Sequence, residues 1–211
     1  MAIEFKKKAI PGKTPVIWRG ECKILPGGFK PKQSFPVGTV LRRGLPIQVD
    51  FEDMSAAVCK VAKVLKGGTA SAPRVEKGHY FSQGDVVMKD GVTDKSSAIK
   101  SIDTSNADYD VITLQSAISG LEENDTLMEA SAYVAADGEN AEVPAAPLYV
   151  PNMVIGHDLE FKGTGIPTID AAYEAMVLYN HVSYPIPADW LLDAHKSPCL
   201  KSNPNIMFIK Q

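Results

Sequence analysis

Residues 101–114, SIDTSNADYDVITL, place Asp103, Asn106, Asp108 and Asp110 within eight positions, with Thr104 and Ser105 between them. Side-chain oxygens at this density suit a hard cation, a pair of acid/base carboxylates, or the turn of a β-hairpin. A helix–loop–helix calcium site needs oxygens at alternate positions, glycine sixth and glutamate twelfth. Counted from Asp103, the sixth residue is Asp108 and the twelfth Leu114; counted from Asn106, they are Val111 and Ala117. Neither register fits. Ile99 and Ile102 before the polar run, and Val111, Ile112 and Leu114 after it, predict two strands joined by a turn. Asp and Asn accept tight backbone conformations and bond nearby amides, so a hairpin turn is the expectation. An irregular calcium site at Asp103, Asp108 and Asp110 stays open beside it.

Other reactive patterns are weaker. PGKT at 11–14 ends like a phosphate loop, but Lys7 stands where GxxxxGK[ST] needs its first glycine. Ser97 and Lys100 match SxxK on a predicted strand. Asp50, Glu52 and Asp53 could flank a sugar, although acids clustered at a strand end are usually a solvated turn. His79, His157, His181 and His195 are scattered, with no ligand spacing between them; His79 is framed by Gly78, Gly84 and Asp85. Cys22, Cys59 and Cys199 are odd in number and far apart, which suits reduced thiols rather than a disulfide framework or a metal knuckle. No cofactor and no catalytic residue is expected.

The 211 residues are 45% hydrophobic and 22% charged, enough apolar material for a full core. No apolar run approaches the roughly 18 residues a membrane span needs, and the lysine-rich start lacks the apolar core of a cleaved signal. The net charge of −3 conceals a split. Residues 1–43 carry ten Lys or Arg against Glu4 and Glu21, a net +8, while residues 101–142 carry ten Asp or Glu and no Lys or Arg. Such polarity bears on docking and solubility. Nucleic acid is disfavoured as a partner, because the acidic remainder would repel phosphates.

Six prolines in the first 46 residues argue against helix there. The prediction is a mainly β protein, a small barrel or sandwich, with an extended N-terminal arm and a small C-terminal α+β portion. Residues 1–35 form the basic arm, whose candidate partner contacts are Phe5, Lys6, Lys7, Lys8, Trp18, Arg19, Phe29, Lys30 and Phe35. Residues 36–134 form the β-domain, with short strands at roughly ten-residue spacing. Residues 135–149, rich in Pro, Ala and Gly, read as a loop or linker. In 150–211, PTIDAAYEAMVLYNHV predicts a helix with Thr168 as N-cap and Ile169, Tyr173, Met176 and Val177 on one face. A second short helix is expected after Pro187, and NIMFIKQ reads as a strand.

Several phrases resemble, as a set, head-fibre or auxiliary capsid (decoration) proteins of tailed phages and prophages of gut Bacteroidetes: FPVGTVLRRGLPIQVDF, CKVAKVLKGGTASAPRVEKGHYFSQGDVV, SIDTSNADYDVITL…LMEA and the terminal NPNIMFIKQ. The likeness covers most of residues 35–131 and the last nine. It implies a non-enzymatic virion protein on the outer capsid surface, made in the host cytoplasm, commonly trimeric, with the major capsid protein or other head proteins as partner. A carbohydrate-active enzyme or a glycan-binding module on a β-scaffold is the alternative. The first would use Asp50, Glu52 or Asp53; the second would use Tyr80, Tyr109 and Tyr133 clustered on the outer face.

Overall fold

The computed structural model describes residues 16–138, 140–182 and 184–210. Strands β1 (Lys23–Pro31), β2 (Val40–Leu41), β3 (Pro46–Asp50) and β4 (Ser55–Val58) come first. Then follow β5 (Val61–Leu65), β6 (Arg74–Glu76), β7 (Val86–Lys89), β8 (Ser97–Asp103), β9 (Tyr109–Leu114) and β10 (Thr126–Glu129). The chain ends in β11 (Met153–Ile155), β12 (Leu159–Glu160), β13 (Ile169–Leu178), β14 (Leu191–Asp193), β15 (Ser197–Leu200) and β16 (Ile206–Ile209). Two 3₁₀ turns, Tyr179–His181 and Ala188–Trp190, are the only helical residues among those described. The mainly β class is therefore what the chain adopts.

An eight-stranded sheet runs β1-β4-β3-β11-β13-β16-β15-β14, and a further pairing of β1 with β13 closes five of its strands into a ring. Between β4 and β11 the chain builds a separate closed barrel, β10-β5-β6-β9-β8-β7. Its interior is Ala62, Val64, Val75, Phe81, Val87, Ile99, Ile112, Leu114, Ile118 and Leu127. Alternation explains the division: in β5, Ala62 and Val64 point into the barrel, whereas Val61 packs with the ring. Met88 and Met128 join Val61 in the ring's cluster, so the two bodies share one apolar seam.

Two expectations are corrected here. The segment predicted as a helix after Thr168 is β13, the longest strand. Ile169, Ala171, Ala175 and Val177 alternate on one buried face, and Ala172 is buried on the other. Small side chains let β13 sit between β1 on one edge and β11 and then β16 on the other. Pairing along both edges overrides the helix preference of Ala, Glu and Met. The short helix after Pro187 is reduced to the single 3₁₀ turn ending at Trp190.

The described part of the N-terminal arm is no free arm. Trp18 bridges to Val177, and β1 pairs antiparallel with β13 and parallel with β4. The β1–β13 register shifts between Leu25 and Phe29. Phe5, Lys6, Lys7 and Lys8 lie outside the described residues.

One turn is set by steric limits alone. A Cβ on Gly68 would stand 2.4 Å from the Arg74 nitrogen and 2.8 Å from Pro73 Cα, backbone atoms that cannot swing aside. Gly68→Ala should cost about 1–3 kcal/mol in urea unfolding, as overpacked sites do. Lys66→Ala in the same turn should stay within about 0.5 kcal/mol.

Candidate functional site

One mouth of the closed barrel is filled by ionisable side chains. Lys60 continues the inward-facing series Ala62 and Val64; Asp85 precedes inward Val87; Glu129 follows inward Leu127; Asp110 precedes inward Ile112 and Leu114. Period-two alternation thus aims four charged groups at the barrel axis. The strand registers Met128↔Val61, Glu129↔Val87 and Glu76↔Tyr109 bring them to the same end.

Lys60, with a side chain only 5% exposed, lies 2.7 Å from Asp85 Oδ2 and 3.1 Å from Glu129 Oε1. Asp85 Oδ2 also accepts the Ser82 amide at 2.7 Å. Glu129 Oε2 is buried without a hydrogen-bond partner. Burial pushes the Glu129 carboxyl above its ordinary value, against the pull of Lys60. Beside this triad, Lys77 reaches Asp110 Oδ1 at 2.6 Å, and His79 Nε2 stands 3.3 Å from Asp110 Oδ2. His79 Nδ1 accepts the Phe81 amide, which leaves the ring proton on Nε2 facing Asp110. Burial, outweighing Asp110, lowers the His79 value, so the imidazole is neutral near pH 7.

Of this mouth, His79, Asp85 and Asp110 carried a sequence signal, and Lys60, Lys77 and Glu129 did not. Asp103, Asn106 and Asp108 do form the β8–β9 turn, with Asp103 Oδ1 accepting the Ser105 amide and Asn106 Oδ1 the Asp108 amide. Asp110 parts from them, turning inward to Lys77. Among the described residues, no group of three or more His, Cys, Asp or Glu is placed to hold a metal ion. Asp50 and Asp53 share Lys32 at the β3–β4 turn, and the Glu52 amide and Lys32 hold the Asp50 carboxyl below its ordinary range. Ser97 and Lys100 fall on opposite faces of β8, one buried and one exposed.

A second feature lies on the surface. Two shallow grooves, about 460 and 240 Å³, meet at Phe35, Phe161, Ile166 and Pro167. Ile166 is 83% exposed and Val37 72%, and Lys30 and Lys162 line the rim. Large apolar side chains this exposed and this close mark contact surfaces more often than chance. Of the predicted contacts, Lys30 and Phe35 line this groove. Trp18 and Arg19 sit at the other end of β13, near Val177 and Met176. Phe29 is buried at 2% exposure against Phe51, so it anchors the ring rather than a partner.

The tyrosines do not present open faces. Tyr80 donates to the Val40 carbonyl and stacks edge-on with Phe35. Tyr109 lies under Arg74 at 4.5 Å. Tyr133 is half-buried against the ring's core. No helix among the described residues is long and apolar enough to cross a membrane. No protein-family model, curated protein or solved structure matches the chain.

Proposed function

We propose that this chain is a non-enzymatic structural subunit of a tailed-phage virion, a head-fibre or decoration protein on the outer head surface. The observation that carries the reading is the exposed apolar groove of Val37, Phe35 and Ile166, rimmed by Lys30 and Lys162. It fits an acidic face of the major capsid protein, because Lys30 and Lys162 outweigh Glu160 along the groove and its Lys30–Val37 edge belongs to the basic residues 1–43. Apolar contact supplies affinity at the centre of such an interface, and the lysines supply register and rate. A homotrimer is the assembly that the likeness in phrasing favours.

Co-pelleting with capsids of the source phage tests this. The double variant Val37→Asp/Ile166→Asp should lose at least about tenfold in bound copies, the scale of removing one interface anchor, while keeping its circular dichroism. Removing residues 1–15 should weaken binding most at low salt. Wild-type pelleting by both variants, or capsids imaged at side-chain resolution without this chain, sinks the proposal.

A further inference from the structure

The buried triad has the arrangement of a reaction centre whose substrate is the chain itself. Lys60 lies just before β5, Asp85 just before β7, and Glu129 at the end of β10, the strand that pairs with both β5 and β7. A primary amine, a carboxyl carbon and a second carboxylate therefore meet across three neighbouring strands, at 2.7 and 3.1 Å from one Nζ. We infer that Lys60 and Asp85 condense to an intramolecular amide bond, with Glu129 carrying the protons.

The geometry meets the usual requirements. A carboxylate oxygen in contact with Nζ puts its own carbon close to the roughly 3–3.5 Å at which reacting atoms meet. The Ser82 amide, 2.7 Å from Asp85 Oδ2, is a donor aimed at the oxygen on which charge develops. The side chains of Lys60 and Glu129 are almost fully enclosed. The fold thus supplies a dry site and holds both partners in place, as intramolecular reactions require.

Atoms and charges balance without a co-reactant. Glu129 takes one proton from the Lys60 ammonium and delivers it to Asp85 Oδ1, leaving a neutral amine and a neutral acid. The amine lone pair attacks Asp85 Cγ; the C–N bond forms and the C=O pair moves to Oδ2, held by Ser82. Glu129 then carries a second nitrogen proton to Oδ1. The Cγ–Oδ1 bond breaks, water leaves, and the pair on Oδ2 restores the carbonyl. The third proton stays on the amide nitrogen, Glu129 ends as it began, and nothing is oxidised or reduced.

The driving force lies in the burial. Two almost fully enclosed charges, a third only 16% exposed and one unpartnered carboxylate oxygen are costly, and condensation replaces the ammonium and one carboxylate by a neutral amide. Glu129, whose carboxyl burial already favours in its protonated form, can then donate to the new carbonyl. The product ties β5 to β7 across β10 and closes the barrel covalently. None of this depends on what the protein attaches to.

Denaturing mass spectrometry of the purified full chain decides the matter. The wild-type mass should fall short of the sequence by one water, and a digest should yield a branched peptide joining Lys60 to Asp85. Lys60→Arg, Asp85→Ala and Glu129→Gln should each return the full mass, and Asp85→Asn should form the same link with loss of ammonia instead. A wild-type chain that keeps its full mass after prolonged incubation overturns the inference, whatever the variants do. So does a water loss mapped to the Asp90–Gly91 or Asp137–Gly138 step, where a succinimide would open with hydroxylamine.

Discussion

Deleting residues 1–34 should abolish folding of the first ring, whereas deleting residues 1–15 should leave its unfolding transition in place. β1 is the strand that closes the ring, holding β13 on one edge and β4 on the other. The 1–34 deletion takes away buried Ile17 as well as Phe29 of β1, each worth about 2–5 kcal/mol when truncated. It also takes the Gln33 amide, which bonds both the amide and the carbonyl of Val58 at 2.7 and 2.8 Å. Add the ladder bonds at about 1 kcal/mol each, and the loss exceeds the roughly 5–15 kcal/mol by which a domain is stable. Urea unfolding followed by circular dichroism is the measurement. The closed barrel, whose strands all lie within 61–129, should retain a separate transition. A chain beginning at residue 35 that unfolds like the full protein would refute the closure of the ring by β1.

Lys60→Met should destabilise the barrel by about 3–5 kcal/mol, the cost of removing one partner from a buried ion pair. Asp85 and Glu129 would then face each other with no cation between them, and Glu129 is already the group that burial pushes upward. Glu129→Gln forfeits the covalent link as Lys60→Met does but should cost less, because the Lys60–Asp85 ion pair remains and a buried charge is removed. Lys60→Arg separates two contributions: it preserves the charge but cannot condense with Asp85. Any stability it loses beyond misfit reports the covalent link, which the chain-entropy estimate puts at about 3 kcal/mol for a loop of this length. Urea midpoints for the three variants give the ranking. A Lys60→Met variant within about 1 kcal/mol of wild type would mean that the triad is solvated rather than buried.

The β class, the β8–β9 hairpin and the turn at Gly44 were legible in the residues. Gly44 separates β2 from β3, and the Asp/Asn run joins β8 to β9, because turn chemistry is local and period-two alternation is strong on either side. β13 was misread because its apolar residues satisfy both periods: Ile169, Tyr173, Met176 and Val177 match a helical face, while Ile169, Ala171, Ala175 and Val177 match a strand face. Only the neighbours choose between them, and β1, β11 and β16 come from distant parts of the chain. β1 was hidden for a different reason. Proline and lysine read as an exposed arm, and the pairing of β1 with β13 and β4 is a tertiary feature. The charged mouth was half visible. Lys60 alternates with Ala62 and Val64, which aims it inward, but nothing local links it to residues 25 and 69 positions later in the chain.

The place where the closed barrel joins the ring has one more consequence. Its first strand and its last are paired neighbours there, Val61 beside Met128, so the inserted segment begins and ends one strand-spacing apart. A host fold tolerates an insert best when the two cut ends nearly touch, since the rest of the host need not move to admit it. Residues 61–129 are therefore a cassette, one that recombination could swap, enlarge or delete while Cys59 and Ala130 stay where they are. The host would keep its groove at Phe35, Phe161 and Ile166 through every such exchange, and diversity would accumulate on the part it carries.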